Sequence, residues 1–408
     1  QMRKGQDVGL ATAWYSEPYH AEVDLIRQQY PDGELLTRTG EPMPLRRLFN
    51  VNGATVFPAW NSFGRFYLQS IDRIAENFGP SALALDSLFG NQRHFGKLDT
   101  TLPQAFTDDL KAYAYVGLAE AQLAAYAHEK TTPQGHRMGT VGNIKISSGF
   151  HTPFFIDHGL WEGSPSREFI DHNREDRYMR LRMMMGHKPV TFWAPMWNAR
   201  RLEPSLQKLL SGYDKGEVTA SQVYDHLIRM RDLAVVYAYF YGAYLAPSTT
   251  SGVPELWAVR PMLHTFVAAG WNPSPGVMGD NKHWQLSSAG PQNERLYAIG
   301  NLTEESQTGS LTILAGPRSP VVASVSNTQT LVQRIDPQQT VVEALAVSPR
   351  QSQILITLFQ LQGQASAQTQ GTYIPSRQYE ATVKLNVSQA SVTLDGLWQP
   401  QQFKPVTA

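Results

Sequence analysis

Two spacings of apolar residues divide the chain. Up to about residue 271, short apolar runs bounded by Gly, Pro or polar residues alternate with stretches in which apolar positions recur every three or four residues. The runs at 7–15 (DVGLATAWY), 80–86 (PSALALD), 139–147 (GTVGNIKIS), 154–157 (FFID), 188–194 (KPVTFWA) and 234–241 (AVVYAYFY) read as buried strands. Phe63, Tyr67, Ile71, Ile74 and Phe78 fall on one helix face, with Asn61 or Ser62 to cap the start and Gly79 to end it. Further helices are predicted over 106–129, 174–185 and 221–231. Helix followed by strand, repeated, predicts a parallel sheet covered by helices.

Beyond residue 272 the texture changes to alternating β-branched runs, such as 354–359 (ILITLF), 379–386 (YEATVKLN) and 391–394 (SVTL). Short strands separated by polar turns predict an antiparallel sandwich. The segment 271–276 (WNPSPG) reads as a linker, and the Gln-rich 360–370 as a mobile loop. The expected architecture is α/β followed by all-β. Residues 1–271 form a (β/α)8-type (TIM) barrel or its C-terminal portion, and residues 272–408 a β-sandwich. A closed barrel takes about 250 residues, a length the first region provides, yet only five or six strands are convincing in it. Either strands are hidden in the pattern, or the first ones belong to a second chain or a precursor segment that completes the barrel.

Composition narrows the functions. Lys+Arg 35 balances Asp+Glu 35, which removes the basic footprint of general nucleic-acid binding and of anionic-membrane binding. The longest apolar stretch, 233–246, is too short to span a bilayer, which takes roughly 20 residues. Charged residues are 17% of the chain, against roughly 25% in an average soluble domain, so uncharged polar and aromatic groups cover much of the surface. With no Cys, the chain has no disulfide, thiolate nucleophile or Cys-ligated metal. That suits an oxidising setting, and the expected location is secreted or extracellular, the cell surface included. The chain opens at Gln1 without a basic-then-apolar leader, so the expectation is that a signal or precursor segment has been removed or that something larger has been cut.

The active site of a barrel collects at the C-terminal ends of its strands. Asp86 stands where the apolar run SALALD becomes a loop, a position that also suits a turn former or helix cap. A second cluster, Asp157-His-Gly-Leu-Trp-Glu162-Gly, puts two carboxylates, a histidine and a tryptophan within seven residues. Apolar neighbours on Glu162 would raise its pKa, as a general acid requires. Trp14, Tyr15, Trp60, Trp161, Trp193 and Trp197 fall at or just beyond predicted strand ends, although any one Trp is more often core. Indole rings stack on the C–H faces of sugars, while Asn61, Asn143 and His151 offer neutral hydrogen bonds to hydroxyls. Such a lining prefers a neutral polyol.

The stretch Trp60 to Asp86, the turn at Gly142-Asn143, DHGLWEG and KPVTFWAP together resemble the second half of the barrel in α-galactosidase-like glycoside hydrolases. The segment GDNKHWQLSSAGPQNERLYAIGNLTEES looks like the opening strands of the β-sandwich that follows their barrel. The resemblance covers about residues 8 to 310 and implies a retaining mechanism. It makes Asp86 the nucleophile, and it leaves Glu162 or Asp157 as acid/base.

The leading expectation is therefore a glycoside hydrolase that cleaves a neutral oligo- or polysaccharide with two carboxylates. The alternative is a non-catalytic extracellular binding or assembly protein on a glycosidase scaffold, and a sugar lyase or isomerase is a third reading. No cofactor or metal is expected, since HExxH, a Gly-rich phosphate loop and a G-x-S-x-G elbow are all missing. Asn301-Leu-Thr and Asn386-Val-Ser match the glycosylation sequon.

Overall fold

The computed structural model describes residues 2–8, 10–48, 51–58, 61–88, 92–96, 103–133, 135–144, 152–162, 175–193, 204–246, 254–290, 295–314, 320–324, 330–335, 339–360, 366–374 and 378–385. They belong to two units, Gln1–Glu162 with Asp176–Thr191, and Gly163–Glu175 with Phe192–Ala408.

In the first unit, strands β1 (Ala13–Ser16), β2 (Ala82–Leu88), β3 (Gly139–Ile144), β4 (His158–Glu162) and the first half, Val190 and Thr191, of β5 (Val190–Trp193) lie side by side in chain order. The pairs β1–β2, β2–β3 and β3–β4 are parallel. Parallel neighbours need long crossovers, and α1 (Ser62–Phe78), α2 (Val116–His128) and α3 (Glu175–Met185) lie in three of them. Strand β1 ends the order. The pairings of the described residues order these strands as in the chain and do not show whether the sheet closes into a barrel, one of the two expected forms.

Helix α1 forms as its pattern predicts. Asn61 Oδ1 accepts from the Gly64 N–H at 2.7 Å, and Gly79 ends the helix at φ 54°. Its buried residues Phe63, Tyr67 and Ile71 face the core. Two loops on the C-terminal side of the sheet are folded in their own right. The β1–α1 loop carries a small sheet of His20–Glu22, Arg46–Leu48 and Val51–Thr55, and the β2–α2 loop one of Arg93–His94, Ala105–Phe106 and Ala112–Tyr115. Tyr19, Leu35, Phe57 and Ala114 share one apolar cluster with Val116 and Ala119 of α2.

Three expectations in this unit change. The run 7–15 divides into a short helix, Met2–Asp7, and β1. The predicted helix 106–129 begins only at Val116, because Ala112–Tyr115 pairs with Ala105–Phe106 across a turn that the Thr107 hydroxyl closes by accepting from Lys111 N at 3.0 Å. The run 154–157 is no strand: Thr152–Phe155 is a helical turn, and the strand starts at His158.

The second unit contains α4 (Ala220–Tyr241), β6 (Tyr244–Ala246) and α5 (Pro254–Ala268), followed by a sandwich of two antiparallel sheets. One sheet orders β7 (Trp271–Asn272), β9 (Trp284–Ala289), β10 (Leu296–Asn301), β15 (Ser352–Gln360) and β12 (Pro320–Ser324). The other orders β8 (Val277–Gly279), β11 (Gln307–Leu314), β14 (Gln339–Val347), β13 (Thr330–Ile335), β16 (Ser366–Ile374) and β17 (Gln378–Leu385). Inward residues of both sheets, among them Trp284, Ile299, Leu311, Val342 and Leu355, make one core.

The apolar run 234–241, expected as a strand, is the buried second half of α4. Thr219 and Gln222 make a capping box at its start, and Gly242 ends it at φ 55°. The expected linker 271–276 starts with a strand, since Trp271 and Asn272 pair with Ala289 and Ser288. The Gln-rich segment contributes the start of β16 from Ser366. The run 391–394 lies outside the described residues. The expected boundary at residue 271 does not coincide with the division into units, because α4 packs on β9 and β10 of the sandwich.

Candidate functional site

Strand alternation decides which residues can meet. On β2, Leu83, Leu85 and Leu88 are buried, whereas Ala84 and Asp86 point to the other face and are half-buried. Trp14 is the register partner of Leu83, and Tyr15 that of Ala84. Trp14 therefore packs on the helix side, with its ring 4.8 Å from that of Phe78. Tyr15 takes the Asp86 side and is 63% exposed.

The pairing of β2 with β3 slips between Leu85 and Leu88, across Asp86 itself. Bulges of this kind re-aim a side chain and recur beside active sites. Here Asp86 is held from both neighbouring strands. The Tyr15 hydroxyl donates to Oδ2, and Asn143 Nδ2 of β3 donates to Oδ1 at 2.5 Å. Asn143 is 4% exposed, so this hold is anchored in the interior. The Asp86 carboxylate is thus half-buried and held by donors from two strands near the C-terminal end of β2.

Leu160 of β4 is the register partner of Asn143. Glu162 closes the same strand two residues further along, in the same phase of the alternation and at the C-terminal end; its side chain lies outside the described residues. Asp157 goes to the other end. Its backbone N–H donates to Thr140 O at 3.1 Å, and Thr140 pairs with Leu83, three residues before Asp86, or about 10 Å along the strands. There the Asp157 carboxylate accepts from Thr140 N at 2.8 Å and meets His128 Nε2 at 2.6 Å. It ties α2 to the sheet and does not approach Asp86. Below Leu160 on the same phase, His158 Nε2 is 2.6 Å from Thr191 Oγ1 of β5. Burial pushes the His158 imidazole below its ordinary value, towards the neutral form.

The indole-lined mouth is not assembled from the described residues. Trp161 is 1% exposed and occupies the opposite phase to Leu160, so it is core. Trp14 is half-buried on the helix side, against Phe78, and does not share the face of Asp86. Asn61 is spent on structure: besides capping α1, its Nδ2 donates to Phe57 O at 2.6 Å and Asp32 O at 3.1 Å. Trp60, His151 and Trp197 lie outside the described residues, as does the side chain of Trp193 at the end of β5. Sequence reasoning named Tyr15 and Asn143 as sugar contacts but missed their hold on Asp86; the alternation AWYS beside SALALD is the signal that could have found it. Among the described residues no group of three or more His, Asp or Glu could hold a metal ion.

No family model matches the sequence, and no curated protein matches it. The chain is similar to solved structures at low identity. A maltogenic α-amylase from Thermotoga neapolitana is 11% identical, with TM-score 0.46, over 88% of this chain and 80% of that one. An Anoxybacillus α-amylase is 8% identical, with TM-score 0.46, over 89% and 78%. The α-galactosidase I of Mortierella vinacea is 9% identical, with TM-score 0.42, over 89% and 80%.

Proposed function

We propose that the protein is a glycoside hydrolase for a neutral oligo- or polysaccharide, with Asp86 as nucleophile and Glu162 as acid/base. The observation that carries this reading is the Asp86 carboxylate at the C-terminal end of β2, gripped by Tyr15 and Asn143 and re-aimed by a bulge. Glu162 is preferred over Asp157 because it closes the C-terminal end of β4, the strand beside the β3 that carries Asn143, whereas Asp157 is held by His128 and Thr140 at the other end.

In the retaining form, Asp86 attacks the anomeric carbon while Glu162 protonates the leaving oxygen; Glu162 then deprotonates the water that releases the sugar. The expected setting is extracellular. Purified protein is assayed on 2,4-dinitrophenyl glycosides of neutral hexoses and pentoses. Asp86→Asn is expected to keep the melting temperature and lose at least about 1,000-fold in kcat. Full turnover in D86N would overturn the assignment. No turnover of any substrate by the wild-type protein would favour the non-catalytic binding scaffold.

A further inference from the structure

The hydrogen bonds that Tyr15 and Asn143 give to Asp86 differ. Asn143 grips Oδ1 from the interior, 4% exposed, while the Tyr15 hydroxyl that grips Oδ2 belongs to a side chain 63% exposed. A buried amide is fixed by its surroundings, whereas an exposed phenol is the more readily displaced of the two donors. Tyr15 also comes from β1, at one end of the strand order of the described residues, and shares a face with Ala84 and Asp86.

Resting on the nucleophile assignment above, we infer that Asp86 Oδ2 is the attacking oxygen and that Tyr15 is the positioning residue which sets how readily the glycosyl–enzyme ester breaks. In the first step Oδ2 bonds to the anomeric carbon, the glycosidic C–O bond breaks, and Glu162 supplies the leaving group's proton. Oδ2 thereby loses its negative charge and most of its attraction for the Tyr15 hydroxyl. In the second step water attacks that carbon and gives its proton to Glu162. The ester bond breaks, and its electron pair returns to Oδ2, where the Tyr15 hydroxyl again donates. Tyr15 keeps its proton throughout. Because a hydrogen bond to a charged oxygen is stronger than one to a neutral oxygen, Tyr15 stabilises the free carboxylate over the ester. It therefore assists departure of Asp86 and slightly restrains its attack.

The test compares wild-type protein and Tyr15→Phe on the 2,4-dinitrophenyl glycoside that wild type cleaves best. In Y15F, kcat is expected to fall about 10- to 100-fold, with KM falling alongside so that kcat/KM stays within about threefold. A dinitrophenol burst of one equivalent precedes the slow phase, and intact mass during turnover gains one glycosyl residue, which peptide mapping places on Asp86. Unchanged kcat, or a fall in kcat/KM with no burst and no adduct, overturns the role of Tyr15 while D86N inactivity still upholds the nucleophile. An active D86N, or a wild-type protein inert on every glycoside, overturns the underlying assignment and this inference together.

Discussion

The Ser287 hydroxyl on β9 donates a 2.9 Å hydrogen bond to the backbone carbonyl of Tyr239 in α4. Beside it, a Cβ placed on Gly300 of β10 would lie 2.4 Å from Val236 Cγ1. Helix and sheet thus approach to a distance that only a bare Cα allows, and the Trp271 indole adds a 2.9 Å bond to Phe240 O. These contacts make α4 part of the sandwich's own unit.

Gly300→Ala is expected to destabilise the protein by about 1–3 kcal/mol through overpacking, read as a lower urea midpoint with the slope unchanged. A midpoint equal to wild type would mean that α4 yields easily and that the close approach is not needed.

Acid should weaken the β1–α1 loop through His94. Its Nδ1 accepts from Leu36 N at 3.2 Å, its ring stacks on Phe57 at 4.3 Å, and burial lowers its pKa from 6.5 to about 4. The neutral form is the one that fits. The stabilisation is complete above pH 6.5 and is lost as pH falls towards 4, amounting to about 3 kcal/mol. In His94→Asn, whose Oδ1 can accept the same N–H, the stability difference from wild type should shrink over that window; a constant difference would exclude His94 as the cause.

The sequon at Asn301 should carry no glycan. Asn301 is fully buried, its Nδ2 donates to Glu305 O at 2.8 Å, Val347 O at 3.0 Å and Ser348 O at 3.1 Å, and its Oδ1 accepts from Thr303. Expression in a glycosylating host should leave the peptide that contains Asn301 at its unmodified mass. Asn301→Ala should cost about 1–3 kcal/mol, because buried carbonyls lose their donor.

Gln333 answers a defect in the sandwich. The β12–β15 pairing slips between Val321 and Val322, and the buried Gln333 amide accepts from Val322 N at 2.9 Å while donating to Val322 O at 2.5 Å. Gln333→Leu is expected to lower stability by about 2 kcal/mol, whereas Gln333→Glu should be tolerated better at low pH, where the carboxyl is protonated and can still donate. A Leu variant as stable as wild type would show that the bulge satisfies itself.

Sequence by itself determined the helix-then-strand order of the first part, the sandwich after it, α1 with both its caps, and the candidacy of Asp86. Each of these follows from local chemistry: spacing of apolar residues, capping side chains, and a carboxylate at the end of an apolar run. Tertiary structure decided what local pattern leaves degenerate. The run 234–241 became helix because a continuous apolar stretch suits any buried element, and the sandwich sheet together with the capping box chose one. Trp161 became core and Trp14 turned to the helix side while Tyr15 reached Asp86, because only the register between strands fixes which face each residue takes. Asp157, five residues from Glu162 in sequence, went to the opposite end of its strand, because position along a strand separates what the sequence places side by side.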